Sequence, residues 1–405
     1  MRGGVGRTRG AEAQSVVSAG EQVDVLHVIN GEFYAGAERV QELLAARLPA
    51  FGYRARFVCL KRGQFQEALE QGPHPCRAVT MRSRLDVVRH ARTIAHHARN
   101  TGCRLIHTHT PRGALVGSLA SAMARLPMVH HVHSPTSRDS ARRLTNAVNS
   151  LVERAALVRA SVLIPVSQSL ADHLRAEGYR AERIVPIPNG VAIAGGIGRG
   201  ERRPGELTIG TVALFRPRKG IEVLLRAMAG LVGRAPSVRL VAVGPFETPE
   251  YERSVRTLCR ELGLEERVEW RGFQQDVAAE LRRMDLLVLP SLFGEGMPMV
   301  VLEAMAVGLP VVATRVEGVP EVVRDGRDGV LVAPGDAAAL CEAIAGLAAE
   351  PGTLEVMGAS GRRRQREVFS DVAMAERLSR VYDRLLTRHG HPEQQGRRDG
   401  DLRVV

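Results

Sequence analysis

The sequence predicts an α/β protein of two doubly wound, Rossmann-like domains facing each other across a cleft. Three observations carry that expectation. Short β-branched runs alternate with amphipathic helical stretches along nearly the whole chain, a pattern that argues for parallel sheets covered by helices on both faces. The alternation falls into two series, separated by a glycine-rich segment, Ile193-Ala-Gly-Gly-Ile-Gly-Arg-Gly-Glu-Arg-Arg-Pro-Gly205. At 405 residues the chain is long enough for two domains with separate cores.

In the first series, residues 23–29, 56–60, 105–108, 128–132 and 162–166 read as strands, with helices over 37–48 and 85–99 where apolar residues recur at three and four. The second series has strands over 207–213, 239–243, 267–270, 285–290 and 310–313. The domains are therefore expected at 23–192 and 206–365, joined by a linker over 193–205. The glycines of the linker do not form a phosphate loop, since no strand feeds them and a proline follows. A polar helix is expected after Arg362, running to about Leu386; residues 366–388 form a C-terminal helix able to cross back to the first domain. Residues 1–22 read as a disordered leader and 389–405 as a disordered tail.

Composition narrows the class. An apolar fraction of 44% with 25% charged residues is that of a soluble globular protein. The longest apolar stretch, 296–313, is interrupted by Glu303 and reads as helix then strand, so no membrane span is expected. The early arginines of the leader are not followed by an apolar core, so it does not read as a secretory signal. Five scattered cysteines without a CxxC pair favour a reducing cytoplasm and argue against a structural zinc. The net charge of +12 asks for an anionic partner, but only Lys61 and Lys219 are lysines, and the arginine excess is spread along the chain. With 4% aromatic residues and no basic–aromatic interleaving, nucleic acid is disfavoured, while an anionic bilayer surface stays open as a peripheral contact.

The stretch Phe293-Gly294-Glu295-Gly296-Met297-Pro298-Met299-Val300-Val301-Leu302-Glu303 holds the most chemistry. A strand ending at Pro290 feeds a glycine turn carrying one carboxylate, and Pro298 suits the first turn of a helix. Glu295 then precedes a helix N-terminus, where free N–H groups receive phosphate. Glu303, more than a turn further in, can accept hydrogen bonds from paired sugar hydroxyls. The loop Ala213-Leu214-Phe215-Arg216-Pro217-Arg218-Lys219-Gly220 sets three cations after a strand tip and opens a helix, which makes a second anion site. In the first domain, Asn30-Gly31 and Tyr34-Ala35-Gly36-Ala37-Glu38-Arg39 follow the first strand, where glycine lets the backbone approach a ligand closely. His107, His109, His130, His131 and His133 gather at the ends of two successive strands. The spacing lacks the helical HxxxH and carboxylates of a metal centre, so no metal is expected. His133, followed by Ser134-Pro135, is expected to line the cleft. A glycosidase acid/base pair of Glu295 and Glu303 is disfavoured, because Glu303 sits in a largely buried helix.

These motifs together resemble glycosyltransferase family 4, the retaining nucleotide-sugar glycosyltransferases of GT-B fold. The resemblance covers roughly 23–386 and rests on an ordered set. It runs through Gly36-Ala37-Glu38-Arg39, Ile106-His-Thr-His109, His133, Val166-Ser167, Pro188-Asn189-Gly190-Val191, Arg216 to Gly220, Gly272-Phe273, Pro290-Ser291, the Glu295/Glu303 pair and Glu317-Gly-Val-Pro-Glu321. It implies that Glu303 binds the donor ribose, and that Glu295 with the N–H groups around Gly296 and Met297 meets the donor sugar and phosphate. Lys219 and a neighbouring arginine would hold the diphosphate, Gly36 would let the first domain close on it, Gly272 would join the donor site, and His133 would sit by the reacting sugar. It further implies retention at the anomeric carbon and no metal or other cofactor. The family's arginine five positions before the lysine is Leu214 here; Arg216 is expected to supply that charge, with Arg218 the alternative. The Asp expected after Asn-Gly-Val is Ala192.

The expected activity is transfer of a sugar from a nucleotide-sugar donor to a glycan or lipid-linked acceptor in cell-surface polysaccharide or glycolipid biosynthesis, in the cytoplasm or peripherally on the inner face of the plasma membrane. The basic segments 82–89 and 138–143 and Arg154 are the candidates for that surface. A nucleotide-sugar epimerase on the same fold, or a non-catalytic nucleotide-sugar-binding module, are the alternatives.

Overall fold

The computed structural model describes residues 22–32, 34, 36–81, 86–134, 154–193, 206–234 and 237–388. The expected leader, linker and tail fall outside these residues except at Gln22 and Ile193, as do residues 82–85 of the basic segment 82–89 and the whole of 138–143.

Six strands, β1 (Val23–Ile29), β2 (Tyr53–Cys59), β3 (Cys76–Ala78), β4 (Leu105–His109), β5 (Met128–Val132) and β6 (Val162–Pro165), form one parallel sheet in the order β3-β2-β1-β4-β5-β6. Six more, β7 (Leu207–Val212), β8 (Val238–Val243), β9 (Val268–Gly272), β10 (Leu286–Leu289), β11 (Val311–Thr314) and β12 (Gly329–Val332), form a second in the order β12-β11-β10-β7-β8-β9. Counted from its own first strand, each sheet has the same order. The first strand lies between the second and the fourth, which creates a crevice at its carboxyl end where the chain direction of the crossovers reverses. In β4, β5, β6, β10 and β11 every residue is buried, as strands covered on both faces require.

The sequence reading lacked β3 and β12. Both are edge strands of only three and four residues, too short to show a period. A larger difference lies at the C-terminus. Where one polar helix was expected from about 362 to 386, two helices stand, Pro351–Val368 and Asp371–Arg388. The chain turns between them because Val191 pairs with this junction: Val191 N–H donates to Phe369 O at 2.9 Å and Asp371 N–H to Val191 O at 3.0 Å. The backbone passes so close that a Cβ at Gly190 would lie 2.2 Å from Ser370 O. The second helix then packs on the first domain. Arg47 meets Asp371 at 2.6 Å, Tyr53 donates to Asp383, and Tyr382 OH lies 2.6 Å from His107 Nδ1.

That helix helps to bury a stack of imidazoles. His27 pairs in register with His107, and His109 with His131; with period two, these and His133 share one face of the sheet. The rings touch in succession, His107–His131 at 5.4 Å and 6°, His131–His133 at 4.4 Å and 19°. Burial holds all five imidazoles below the usual histidine range, with His27 and His133 pushed down to about 3. A folded-state pKa below the unfolded 6.5 means that the folded protein binds fewer protons. The stability these rings supply is therefore complete above pH 6.5 and is lost progressively as pH falls below it. His131, both of whose ring nitrogens are buried without a partner, is the ring to replace. In His131→Phe the fall of Tm between pH 7 and pH 5, followed by differential scanning calorimetry, is expected to be shallower than in the parent. An equal fall would show that the stack does not set the acid stability.

Candidate active site

The carboxyl end of β7 carries the basic loop, and the carboxyl end of β10 carries the Glu295 turn. They are sewn together by backbone: Leu292 N–H donates to Arg218 O at 2.8 Å. Gly220 sits with φ +66° so close to Pro290 that a Cβ would fall 2.1 Å from its carbonyl oxygen. This brings Lys219 Nζ onto Glu295 Oε1, which also accepts from Ser291 Oγ at 2.6 Å. Both charges are largely buried. Burial alone would raise the Glu295 carboxyl, but the Lys219 charge and the two hydrogen bonds outweigh it and hold the carboxyl low. Burial lowers the Lys219 ammonium, and Glu295 offsets only part of that. The pair is ionised, fixed and ready to meet a polar ligand.

The other two cations of the loop divide. Arg218 Nη1 donates to Gly294 O at 2.8 Å and so braces the turn. Arg216 meets the half-exposed Glu247 at a long 3.6 Å, which leaves its guanidinium less committed than that of Arg218. A second brace was not anticipated. Glu317, at φ +31°, accepts from Gly294 N–H at 3.0 Å and Glu295 N–H at 3.2 Å. Left-handed backbone is costly for a residue with a Cβ, and such strain gathers at functional sites. Thr110, directly after β4, has φ +66°, so both sheets carry one such residue at this edge. In the sequence Glu317 stood out only as the first residue of the motif Glu317-Gly-Val-Pro-Glu321, with no role attached.

Pro298 is the N-cap of the helix Met299–Ala306, one position earlier than expected, and Glu303 lies inside that helix. Burial raises its carboxyl above the usual range, while Arg39, with Nε 3.0 Å away, pulls it back. Arg39 comes from the first domain, so this ion pair crosses the cleft. Gly36, the first residue of the helix Gly36–Arg47, also faces across: a Cβ there would stand 3.5 Å from Met299 Cγ. Met297 is buried, and its carbonyl accepts from Asn189 Nδ2 at 3.3 Å. His133 follows β5 and is half-buried; its carbonyl oxygen lies 2.1 Å from where a Cβ of Gly296 would be. Gly272 ends β9 at the edge of the second sheet with φ +60° and open space around it. Leu214, Phe273 and Phe293, all after strand ends of this sheet, are 42%, 60% and 40% exposed. His133, Glu295, Lys219, Gly36, Gly296, Met297 and Glu303 thus meet at the seam between the crevices; Arg216 and Gly272 stand further out.

Two histidine trios, His27/His107/His109 and His109/His131/His133, bring ring nitrogens within 4.8 Å of one another. Lone pairs lie in the ring plane, so the stacked rings of His131 and His133 aim theirs side by side rather than at one point about 2 Å from each. In the other trio the His27 Nδ1–His109 Nε2 approach of 3.2 Å is that of one hydrogen bond, and His107 Nδ1 is already partnered by Tyr382.

The seam itself gives a test. A methyl at position 296 must displace the His133 carbonyl, which is backbone of the facing domain. Gly296→Ala is expected to hold the domains apart, read as a larger radius of gyration in small-angle X-ray scattering. Gly346→Ala, where the added Cβ meets nothing within 4 Å, should leave it unchanged. Equal radii in both variants would show that the two domains do not close on this contact.

Comparison with known proteins agrees with this geometry. The sequence model described as Glycosyltransferase Family 4 matches residues 34–194, and that of Glycosyl transferases group 1 matches 206–350. The D-inositol 3-phosphate glycosyltransferase of Corynebacterium efficiens is 30% identical over 70% of this chain and 72% of its own length. The phosphatidyl-myo-inositol mannosyltransferase of Mycobacterium leprae is 31% identical over 70% of this chain and 74% of its own. WcaL of Salmonella typhimurium, provisionally assigned to colanic acid biosynthesis, is 33% identical over 55% of this chain; there the match spans 56% of the relative. Among solved structures, HepE of Anabaena in complex with UDP-glucose superposes with a TM-score of 0.77 at 25% identity, covering 90% of this chain and all of that one. Sucrose-phosphate synthase of Thermosynechococcus elongatus shares the fold at a TM-score of 0.76 and 24% identity, covering 91% of this chain and all of that one. The chain belongs to the group 1, Family 4 glycosyltransferases of two Rossmann-like domains.

Proposed function

We propose that the protein transfers a sugar from a nucleoside diphosphate sugar to a glycan or lipid-linked acceptor, with retention at the anomeric carbon and without a metal. The observation that carries the reading is the buried Lys219–Glu295 pair, held by Ser291 at one crevice, with Gly36 approaching Met299 and the His133 carbonyl approaching Gly296 across the cleft. In this reading Glu303 anchors the ribose hydroxyls, Lys219 and Arg216 hold the diphosphate, and Glu295 with the backbone at Gly296 and Met297 receives the donor sugar. Gly272 borders the nucleoside end. The complex of HepE with UDP-glucose supports a donor of this class, and the inositol-phosphate and phosphatidylinositol relatives support a polar or lipid-linked acceptor.

The cations of the basic loop can offset charge on the departing diphosphate, a task that elsewhere falls to a metal ion. Retention is what the resemblance to this family implies. Glu295 is bound to Lys219 and Ser291, and Glu303 is paired with Arg39, so neither is placed as a free nucleophile for a double displacement. Given retention, the acceptor hydroxyl would attack on the face from which the diphosphate leaves. Transfer takes place in the cytoplasm. An anionic membrane face is the proposed surface contact, through exposed basic residues such as Arg89, Arg92 and Arg154. Among the described residues no helix is long and apolar enough to cross a membrane.

Slow hydrolysis of nucleotide sugars, screened without an acceptor, tests the donor class. With the best donor, Glu303→Gln is expected to raise KM about ten-fold or more, the worth of hydrogen bonds to a charged acceptor, while EDTA leaves the rate unchanged. Arg216→Ala should raise donor KM or lower the rate; if neither moves, Arg216 is not the diphosphate arginine. Sedimentation with vesicles should favour anionic over neutral lipid, and equal partition would remove the membrane contact.

A further inference from the structure

We propose that Gln41 is a positioning residue that fixes the tautomer of His133, leaving Nε2 bare and presenting Nδ1–H as the donor that His133 offers to a ligand. The inference rests on the reading above that His133 faces the donor sugar. Gln41 lies in the helix Gly36–Arg47, which opens with the glycine of the cleft, and its side chain is fully buried. Its amide spans two imidazoles. Oε1 is 3.3 Å from His27 Nδ1, and Nε2 is 3.4 Å from His133 Nε2.

An amide has an accepting end and a donating end, and a neutral imidazole has one of each as well. The Gln41 –NH2 group can only donate, so the His133 Nε2 it meets carries a lone pair and the ring proton is on Nδ1. At the other end Gln41 Oε1 can only accept, so His27 carries its proton on Nδ1, with His109 Nε2 at 3.2 Å as a second acceptor. The chain of donors runs from His27 through Gln41 to His133. Burial keeps both rings neutral at ordinary pH, so each tautomer is a single, persistent choice. The 3.4 Å contact is long and has room to shorten when a ligand closes the cleft. Turning the amide end for end would reverse both tautomers, and that is the alternative the experiment must separate.

The test uses the full chain labelled with ¹⁵N-histidine, with His133 assigned from the signals lost in His133→Ala. Long-range ¹H–¹⁵N spectra at neutral pH are expected to show a bare Nε2 and a protonated Nδ1 on His133. In Gln41→Glu, whose carboxylate only accepts, the tautomer should reverse and the His133 pKa should rise. Hydrolysis of UDP-glucose should lose about ten-fold in kcat in Gln41→Glu and in Gln41→Met, with donor KM within about two-fold, as expected for misaimed rather than missing contacts. An Nε2–H tautomer in the parent protein overturns the proposal, and so does a Gln41→Met variant with unchanged tautomer and kcat. If Gln41→Met does not fold, the parent spectrum still decides. An unchanged rate in His133→Ala would remove the donor-side role of His133 itself, a failure seen separately from the tautomer result.

Discussion

The buried ion pair between Lys219 and Glu295 is the constraint around which the second domain's edge is organised. Taking two charges out of water is expensive, and their attraction repays it only when geometry and further hydrogen bonds are supplied. Here the supply is visible: Ser291 on the carboxylate, Arg218 on the turn carbonyls, and Gly220 in a backbone that no side chain would allow. Breaking such a pair by removing one partner costs about 3–5 kcal/mol, more than a hydrophobic replacement of both would. A structure seeking stability alone would therefore not choose it. The pair makes sense where fixed charge is wanted at a strand edge before a ligand arrives.

That edge is half a site, and the other half comes from the first sheet through a short list of close approaches. Gly296 admits the His133 carbonyl, Gly36 faces Met299, and Asn189 holds the Met297 carbonyl. The Glu321 carboxylate accepts from the N–H groups of Gln168 and Ser169, both at 2.7 Å, at the start of the helix Gln168–Ala176. It thereby satisfies orphan donors of one domain with a charge of the other, favourably placed at the positive end of the helix dipole. The Arg39–Glu303 pair adds an opposite-charge contact across the same seam. Beneath these polar contacts the apolar core is continuous: Val166 and Leu170 of the first domain share one buried cluster with Met297, Met299 and Val319 of the second.

Much of this was legible in the sequence because period and punctuation report it directly. β1 and β5 fall on the expected residues, since their valines, leucine and isoleucine mark the strands despite the embedded Asp24, His27, His130 and His131. The Glu295 turn and the basic loop were legible because glycine, proline and cations stand after strand ends. What stayed hidden depends on residues far apart in the chain. Nothing near Glu317 announces that its carboxylate brackets the amides of Gly294 and Glu295, and nothing near Gln41 announces His133, 92 positions away. The break at Phe369–Ser370 follows from contact with Val191, so a helical pattern that runs through it could not show it. Gly190, by contrast, was noticed as part of a motif; the structure supplies the reason, its approach to Ser370.

The two walls of the cleft differ in charge, and the difference fits the proposed chemistry. The second domain concentrates cations where a diphosphate would leave. The first domain sets against them a stack of imidazoles held neutral by burial. In a transfer with retention, positive charge develops on the sugar ring as the diphosphate departs, so a cation beside the ring would oppose the step. A histidine with its ordinary pKa would be partly charged near neutrality. His133 avoids this because burial holds its pKa at about 3. It can then offer hydrogen-bonding atoms to a sugar without offering charge. The burial that keeps the histidines neutral is thus the counterpart of the pairing that keeps Lys219 and Glu295 ionised. Each wall spends stability to fix the protonation state its side of the reaction needs.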